Sequence, residues 1–155
     1  MPADSERRPP TPSLPHTWRP LGARIAAWVL GVMLVALVAA VWIGLDSEIR
    51  SQFTTLQRIT LVVMGLLLFG VYNALVRSRV SATDAGLTVV NGYRKRTYEW
   101  SQVIAVSLRR GAPWATLDLS DGTTVSLIGV QGSDGDRARR AVREIRAAIA
   151  ANTPD

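Results

Sequence analysis

The spacing of apolar and polar positions changes character twice along the chain. From Ile25 to Leu45, and again from Ile59 to Val76, no residue is charged and almost all are apolar. An α-helix rises about 1.5 Å per residue and the hydrocarbon core of a bilayer is about 30 Å thick, so each run predicts a membrane-spanning helix, the second with little to spare. Asp46 to Arg58, short and polar, joins the two as a hairpin. After Val76 the period shortens to two. Ser78–Ala82, Leu87–Asn91, Arg96–Trp100, Val103–Arg109, Trp114–Leu119 and Thr123–Leu127 predict five or six short antiparallel strands. Turn signals separate them at Thr83-Asp84-Ala85-Gly86, Asn91-Gly92, Gly111-Ala112-Pro113 and Ser120-Asp121-Gly122. Within the fourth strand the alternation sets Ile104, Val106 and Leu108 against Ala105, Ser107 and Arg109. Trp100 ends a strand and is expected to plug the core as the chain turns.

The last segment returns to a helical period. Ala138, Ala141, Val142, Ile145, Ala148 and Ile149 form one stripe, opposite Arg137, Arg139, Arg140, Arg143 and Arg146. This predicts an amphipathic helix, N-capped by Ser133 with Asp136 three residues on, whose stripe docks on the open end of the strand meander. The stripe has no Trp, Phe or Leu, which disfavours a helix lying in the membrane surface.

Within the spans, Ala36, Ala40 and Gly44 share one helix face, as do Gly70 and Ala74, the spacing of a close-packed seam. Trp28 and Trp42 lie near the ends of the first span and Tyr72 near the end of the second, positions that suit amphipathic rings at the headgroup level and equally suit ordinary apolar side chains. Asn73, the one strongly polar group in either span, is close enough to an end to reach water or the neighbouring helix.

Charge decides orientation. The net charge is +6, from 17 arginines and the single Lys95 against 12 acids. Arg7, Arg8, Arg19 and Arg24 flank the first span, and Arg77, Arg79, Arg94, Lys95 and Arg96 follow the second. The connecting loop holds only Arg50 and Arg58, offset by Asp46 and Glu48. The positive-inside bias therefore predicts a multi-pass protein of the inner (plasma) membrane with both termini cytoplasmic. The expected organisation is a disordered Pro-rich cytoplasmic tail at 1–22, the two-span hairpin at 23–78, a β-domain at 79–151 and a disordered end at 152–155. A cleaved signal peptide fits less well, because the leader is long and a second span follows.

Candidate chemistry is sparse. Cysteine is absent, which removes disulfides and thiolate sites. The only histidine, His16, falls in the expected tail, no acidic cluster has metal-ligand spacing, and no Gly-rich phosphate loop occurs. No catalytic residue, metal or cofactor is expected. The one remaining constellation is Tyr93-Arg94-Lys95-Arg96 with Arg109 and Arg110 in a later turn. Two readings stand: contact with an anionic leaflet or a partner, or solvated turn charge that only enforces topology. The membrane tether argues against nucleic acid.

Arg79 to Leu108 (RVSATDAGLTVVNGYRKRTYEWSQVIAVSL), the LDLSDGTTVSL hairpin of Leu117–Leu127 and the closing helix resemble the bacterial pleckstrin-homology (PH)-like domains of short membrane proteins. More narrowly they are similar to the actinobacterial group named for low molecular weight protein antigen 6. The resemblance implies a two-helix transmembrane hairpin followed by a small PH-like β-sandwich or partly open barrel capped by the C-terminal helix. It further implies a noncatalytic, membrane-anchored interaction domain that scaffolds a protein partner or contacts anionic lipid headgroups. An outward-facing or secreted antigen-like envelope protein is the alternative. The lipid-binding eukaryotic members carry basic residues in their first hairpin loop and a tryptophan in the helix. Thr83-Asp84-Ala85-Gly86 and the closing helix here have neither, which removes specific phosphoinositide binding from what the resemblance implies.

Overall fold

The computed structural model describes residues 12–153. The two apolar runs form α1 (Leu21–Gly44) and α3 (Thr55–Arg77), both long and apolar enough to cross a membrane, and neither buries a residue inside the molecule. A short helix, α2 (Ser47–Gln52), lies within the connection that was expected as plain loop. Thr54 starts α3 through a capping box. Its hydroxyl accepts the Gln57 N–H, while the Gln57 side chain accepts the Thr54 N–H at 2.9 Å. At this tip the Trp42 and Phe53 rings meet edge to face, 5.5 Å apart.

The β-domain has two antiparallel sheets. One has the order β1 (His16–Trp18), β2 (Arg79–Thr83), β3 (Gly86–Asn91), β4 (Arg94–Tyr98); the other is β5 (Val103–Ser107), β6 (Trp114–Leu119), β7 (Thr124–Gln131). The closing helix, α4 (Asp136–Asn152), covers the core with the six-residue stripe that its periodicity marks, all of it buried. Leu87, Leu117, Leu127, Ile145 and Val80 are the largest wholly enclosed side chains beneath it. Trp100, only 6 % exposed, plugs the core as expected, and its indole N–H donates to the carbonyls of Thr83 and Asp84, each at 3.2 Å.

The main departure from the sequence reading is β1. A disordered leader does not hold for residues 16–20: His16, Thr17 and Trp18 pair with Ala82, Ser81 and Val80, and Trp18 is buried with its indole N–H donating to Glu144 at 2.7 Å. Residues 1–11 of that leader lie outside the described residues, as do 154 and 155 of the expected disordered end, while α4 runs through Asn152. The helical hairpin is thus inserted between the first two strands of the sheet. The connection between those strands is α1 to α3, and Thr83–Gly86 is the second connection of the domain.

Four smaller expectations are also corrected. A bulge between Val103 and Ala105 puts both Val103 and Val106 in the core and turns Ile104 out, 63 % exposed, so strict alternation fails there. The β3–β4 connection is Gly92-Tyr93, with Asn91 paired to Arg94; Gly92 alone has φ of +63°, as in the II′ class. Ser133 does not cap α4, because a 3-10 turn at Gly132–Asp134 intervenes and the helix starts after Gly135. The small-residue seam is not where the spans meet: a Cβ at Gly44 or Gly70 would find nothing within 4 Å. The contact is aromatic instead, with Tyr72 beside Gly31 and Trp28 edge-on at 6.5 Å.

If β1 is part of the domain, replacing Leu21–Arg77 by a short turn from Pro20 to Ser78 yields a soluble folded protein that melts well above residues 78–153 alone. Trp18→Ala in that protein is expected to cost about 3 to 5 kcal/mol, as for other buried aromatics. Equal melting temperatures with and without residues 12–20 would mean that β1 contributes nothing.

Candidate interaction surface

Two contacts fix the domain against the hairpin. At the first, the β3–β4 turn lies along the last turns of α3. The Tyr93 hydroxyl donates to the Gly70 carbonyl at 2.9 Å, and the Arg77 guanidinium stands 5.8 Å from the Tyr93 ring centroid, within cation–π range. Gly92 is needed here twice over, for its positive φ and because a Cβ would press on the Ala74 methyl at 3.3 Å. Ser78, buried, links the pieces: its hydroxyl donates to the Ala74 carbonyl at 3.1 Å and accepts the Gly92 N–H at 3.0 Å. Behind the turn, Asn91 laces the sheets together, donating to the Ser126 carbonyl at 2.6 Å and accepting the Ile128 N–H at 3.2 Å.

The second contact is electrostatic. A helix leaves its first N–H groups unpaired and carries partial positive charge at that end. Pro20, at the N-cap of α1, makes no side-chain cap. The Asp134 carboxylate, more than 110 residues away in sequence, fills the role: its two oxygens accept the Leu21 and Gly22 N–H groups at 3.2 and 3.0 Å.

The structure divides the basic residues marked in the sequence. Arg94, Lys95 and Arg96 lie on β4, the edge strand of the first sheet, and are exposed. Tyr93 is at the tip of the turn leading into them, 64 % exposed despite its bond to Gly70. Arg109 and Arg110 leave β5 in the other sheet, and no hydrogen bond or ion pair among the described residues joins them to the β4 group. Of the α4 arginines, Arg146 is engaged, its Nε donating to the Val106 carbonyl at 3.0 Å on β5, and Arg139 pairs with Asp136 on the surface.

His16, now placed in β1, stacks at a tilt on Trp18 and lies 3.9 Å from Glu144. Among the described residues no three His, Asp or Glu side chains gather as metal ligands. The Asp121 carboxyl is held below the usual carboxylate range by the Thr123 hydroxyl and then by the Thr123 N–H, which closes the β6–β7 turn and makes no site.

Trp18, Asp134 and Glu144 are the residues that the sequence reading missed. A lone aromatic in a polar leader was the only signal for Trp18. Asp134 and Glu144 carried none, since each acts on a segment remote in sequence.

Two packed sheets of four and three strands closed by a C-terminal helix define the class as a PH-like domain, here with a helical hairpin built into it. The sequence profile of the bacterial PH domain matches residues 77–148. The uncharacterized protein Rv1417 of Mycobacterium tuberculosis strain H37Rv and the uncharacterized protein Mb1452 of Mycobacterium bovis are each 34 % identical over 141 residues, covering 91 % of this chain and 89 % of theirs. The chain belongs to the bacterial PH domain family. No solved structure matches it. The profile begins at 77 and so omits β1, which the domain receives from the other side of the hairpin.

If Asp134 caps α1, Asp134→Ala should speed amide exchange at Leu21 and Gly22 and cost about 0.5 to 2 kcal/mol. Asp134→Asn, which keeps an acceptor, should lose less. Unchanged exchange in both variants would show that the cap is not made in solution.

Proposed function

We propose that this protein is a noncatalytic adaptor of the bacterial inner membrane, with its PH-like domain held against the cytoplasmic leaflet and the edge Arg94-Lys95-Arg96 in contact with anionic headgroups. The bond from Tyr93 to Gly70 carries this reading. Gly70 precedes the end of α3 by seven residues, which at the helical rise is about 10 Å. If α3 spans, Tyr93 reaches into the domain-side end of the span from a turn seated beside Ala74, as an amphipathic ring near a membrane boundary can, and the three cations that follow it are close to the headgroups. Each can gain about 1 kcal/mol from an anionic surface if it lies within a Debye length, about 8 Å at physiological salt. The cytoplasmic side is supported by the basic residues on both flanks of the hairpin. A protein partner is the second reading, favoured by β4 being an edge strand with one unpaired side, open to an added strand.

The chain has no cysteine, so single thiols report topology. Ser51→Cys, at the hairpin tip, should react with an impermeant reagent from outside intact cells, and Ser133→Cys should not. Labelling of Ser133→Cys would favour the outward-facing antigen-like alternative. For the lipid contact, a fluorophore on Thr97→Cys in the reconstituted full chain should be quenched by headgroup spin labels when the bilayer contains anionic lipid, and much less as salt rises. Changing Arg94, Lys95 and Arg96 to Gln should remove the effect. Absence of quenching in the parent protein would leave the edge to a protein partner.

A further inference from the structure

The docking of the β3–β4 turn leaves a groove between the domain and α3 of about 480 Å³, walled by Leu66, Leu67, Gly70 and Val71 on the helix and by Tyr93 and Ile128 on the domain. Its polar groups are already occupied. Asn91 is spent on the Ser126 carbonyl and the Ile128 N–H, Ser78 on Ala74 and Gly92, and the Tyr93 hydroxyl on Gly70. Each of these groups already has a protein partner, so an occupant finds few polar groups to replace its bonds to water, and burying a polar group there would carry a poorly compensated cost. An apolar occupant gains from burial without that cost. The helix wall is part of the apolar surface of α3, so the groove is continuous with whatever medium surrounds that helix. Arg77, which stands over the ring of the wall residue Tyr93, adds a cation beside the groove that suits a phosphate headgroup.

We infer that this groove holds an acyl chain of a membrane phospholipid, a bound lipid that seals the joint between the domain and α3. The inference rests on the reading of α3 as a span. A lipid seated there has its tail against the domain residue Ile128, which a lipid merely surrounding the hairpin would not touch.

The test uses the full chain in nanodiscs containing phosphatidylglycerol with a photoactivatable diazirine in its acyl chain, and maps the labelled residues by mass spectrometry. Label is expected at Ile128 and Tyr93 as well as along α1 and α3, with none at Ile104, which is exposed on β5 of the other sheet. Gly70→Leu gives the control. Gly70 is part of the groove wall and a Cβ there meets nothing within 4 Å, so the larger side chain starts into open space at that wall. It should lower labelling of Ile128 at least five-fold and leave α1 labelling unchanged. Labelled helices with Ile128 no more labelled than Ile104, or Ile128 labelling that Gly70→Leu does not lower, would overturn the groove and leave the membrane reading intact. Helices that take up no label would overturn both.

Discussion

The pairing of β1 with β2 constrains everything else in this molecule. Trp18 lies opposite Val80, so the chain entering α1 and the chain leaving α3 run side by side in one sheet. Adjacent strands are about 4.8 Å apart, whereas packed helix axes stand about 8 to 10 Å apart. Helices that continue from paired strands must therefore diverge as they leave the domain. This accounts for a contact made by large rings, Trp28 with Tyr72, close to the domain. The two apolar helices are held at both ends, by the sheet at one and by Trp42 against Phe53 at the other.

The same constraint explains why the domain grips the helices with backbone groups. A proline precedes α1, so the strand-to-helix corner has a fixed φ but no capping side chain. Asp134 supplies the missing acceptor from the turn that ends β7. On the α3 side the corner is Ser78, and its hydroxyl ties helix, strand and hairpin turn at one point. Close approach is needed there, and Gly92 provides it. At a second close approach β7 crosses β2, where Gly129 leaves room for the Arg79 backbone at 2.7 Å from where a Cβ would stand.

Most of the architecture was legible because its signals are long or periodic. The two long apolar helices, the buried stripe of α4 and the plug at Trp100 each follow from a sustained apolar pattern or a large apolar side chain, and each is found at the residues that carry it. What was illegible is short or remote. Three residues, His16-Thr17-Trp18, cannot declare a strand by alternation, and their partner lies beyond the whole hairpin. Periodicity failed at Ile104 because a bulge adds one residue without changing composition. The Asn91-Gly92 signal was displaced by one position because the Asn91 side chain is committed to β7, so the turn falls on Gly92-Tyr93. In the site, the basic cluster was visible as composition, but its division between two sheets depended on topology.

That division bears on how the cations should be understood. Charge on an edge strand discourages unwanted strand pairing, and Arg94-Lys95-Arg96 on β4 would serve that end in any soluble protein. A role in blocking aggregation, however, requires nothing of Tyr93. Here the residue that immediately precedes the charges bonds to a main-chain carbonyl within a helix that has no buried face, and Arg77 stands over its ring. A large aromatic left 64 % exposed beside such a helix gains little in water and much at an apolar boundary. The combination of a pinned, exposed tyrosine with three cations on the adjoining strand favours the proposed leaflet contact over an edge that is merely protected.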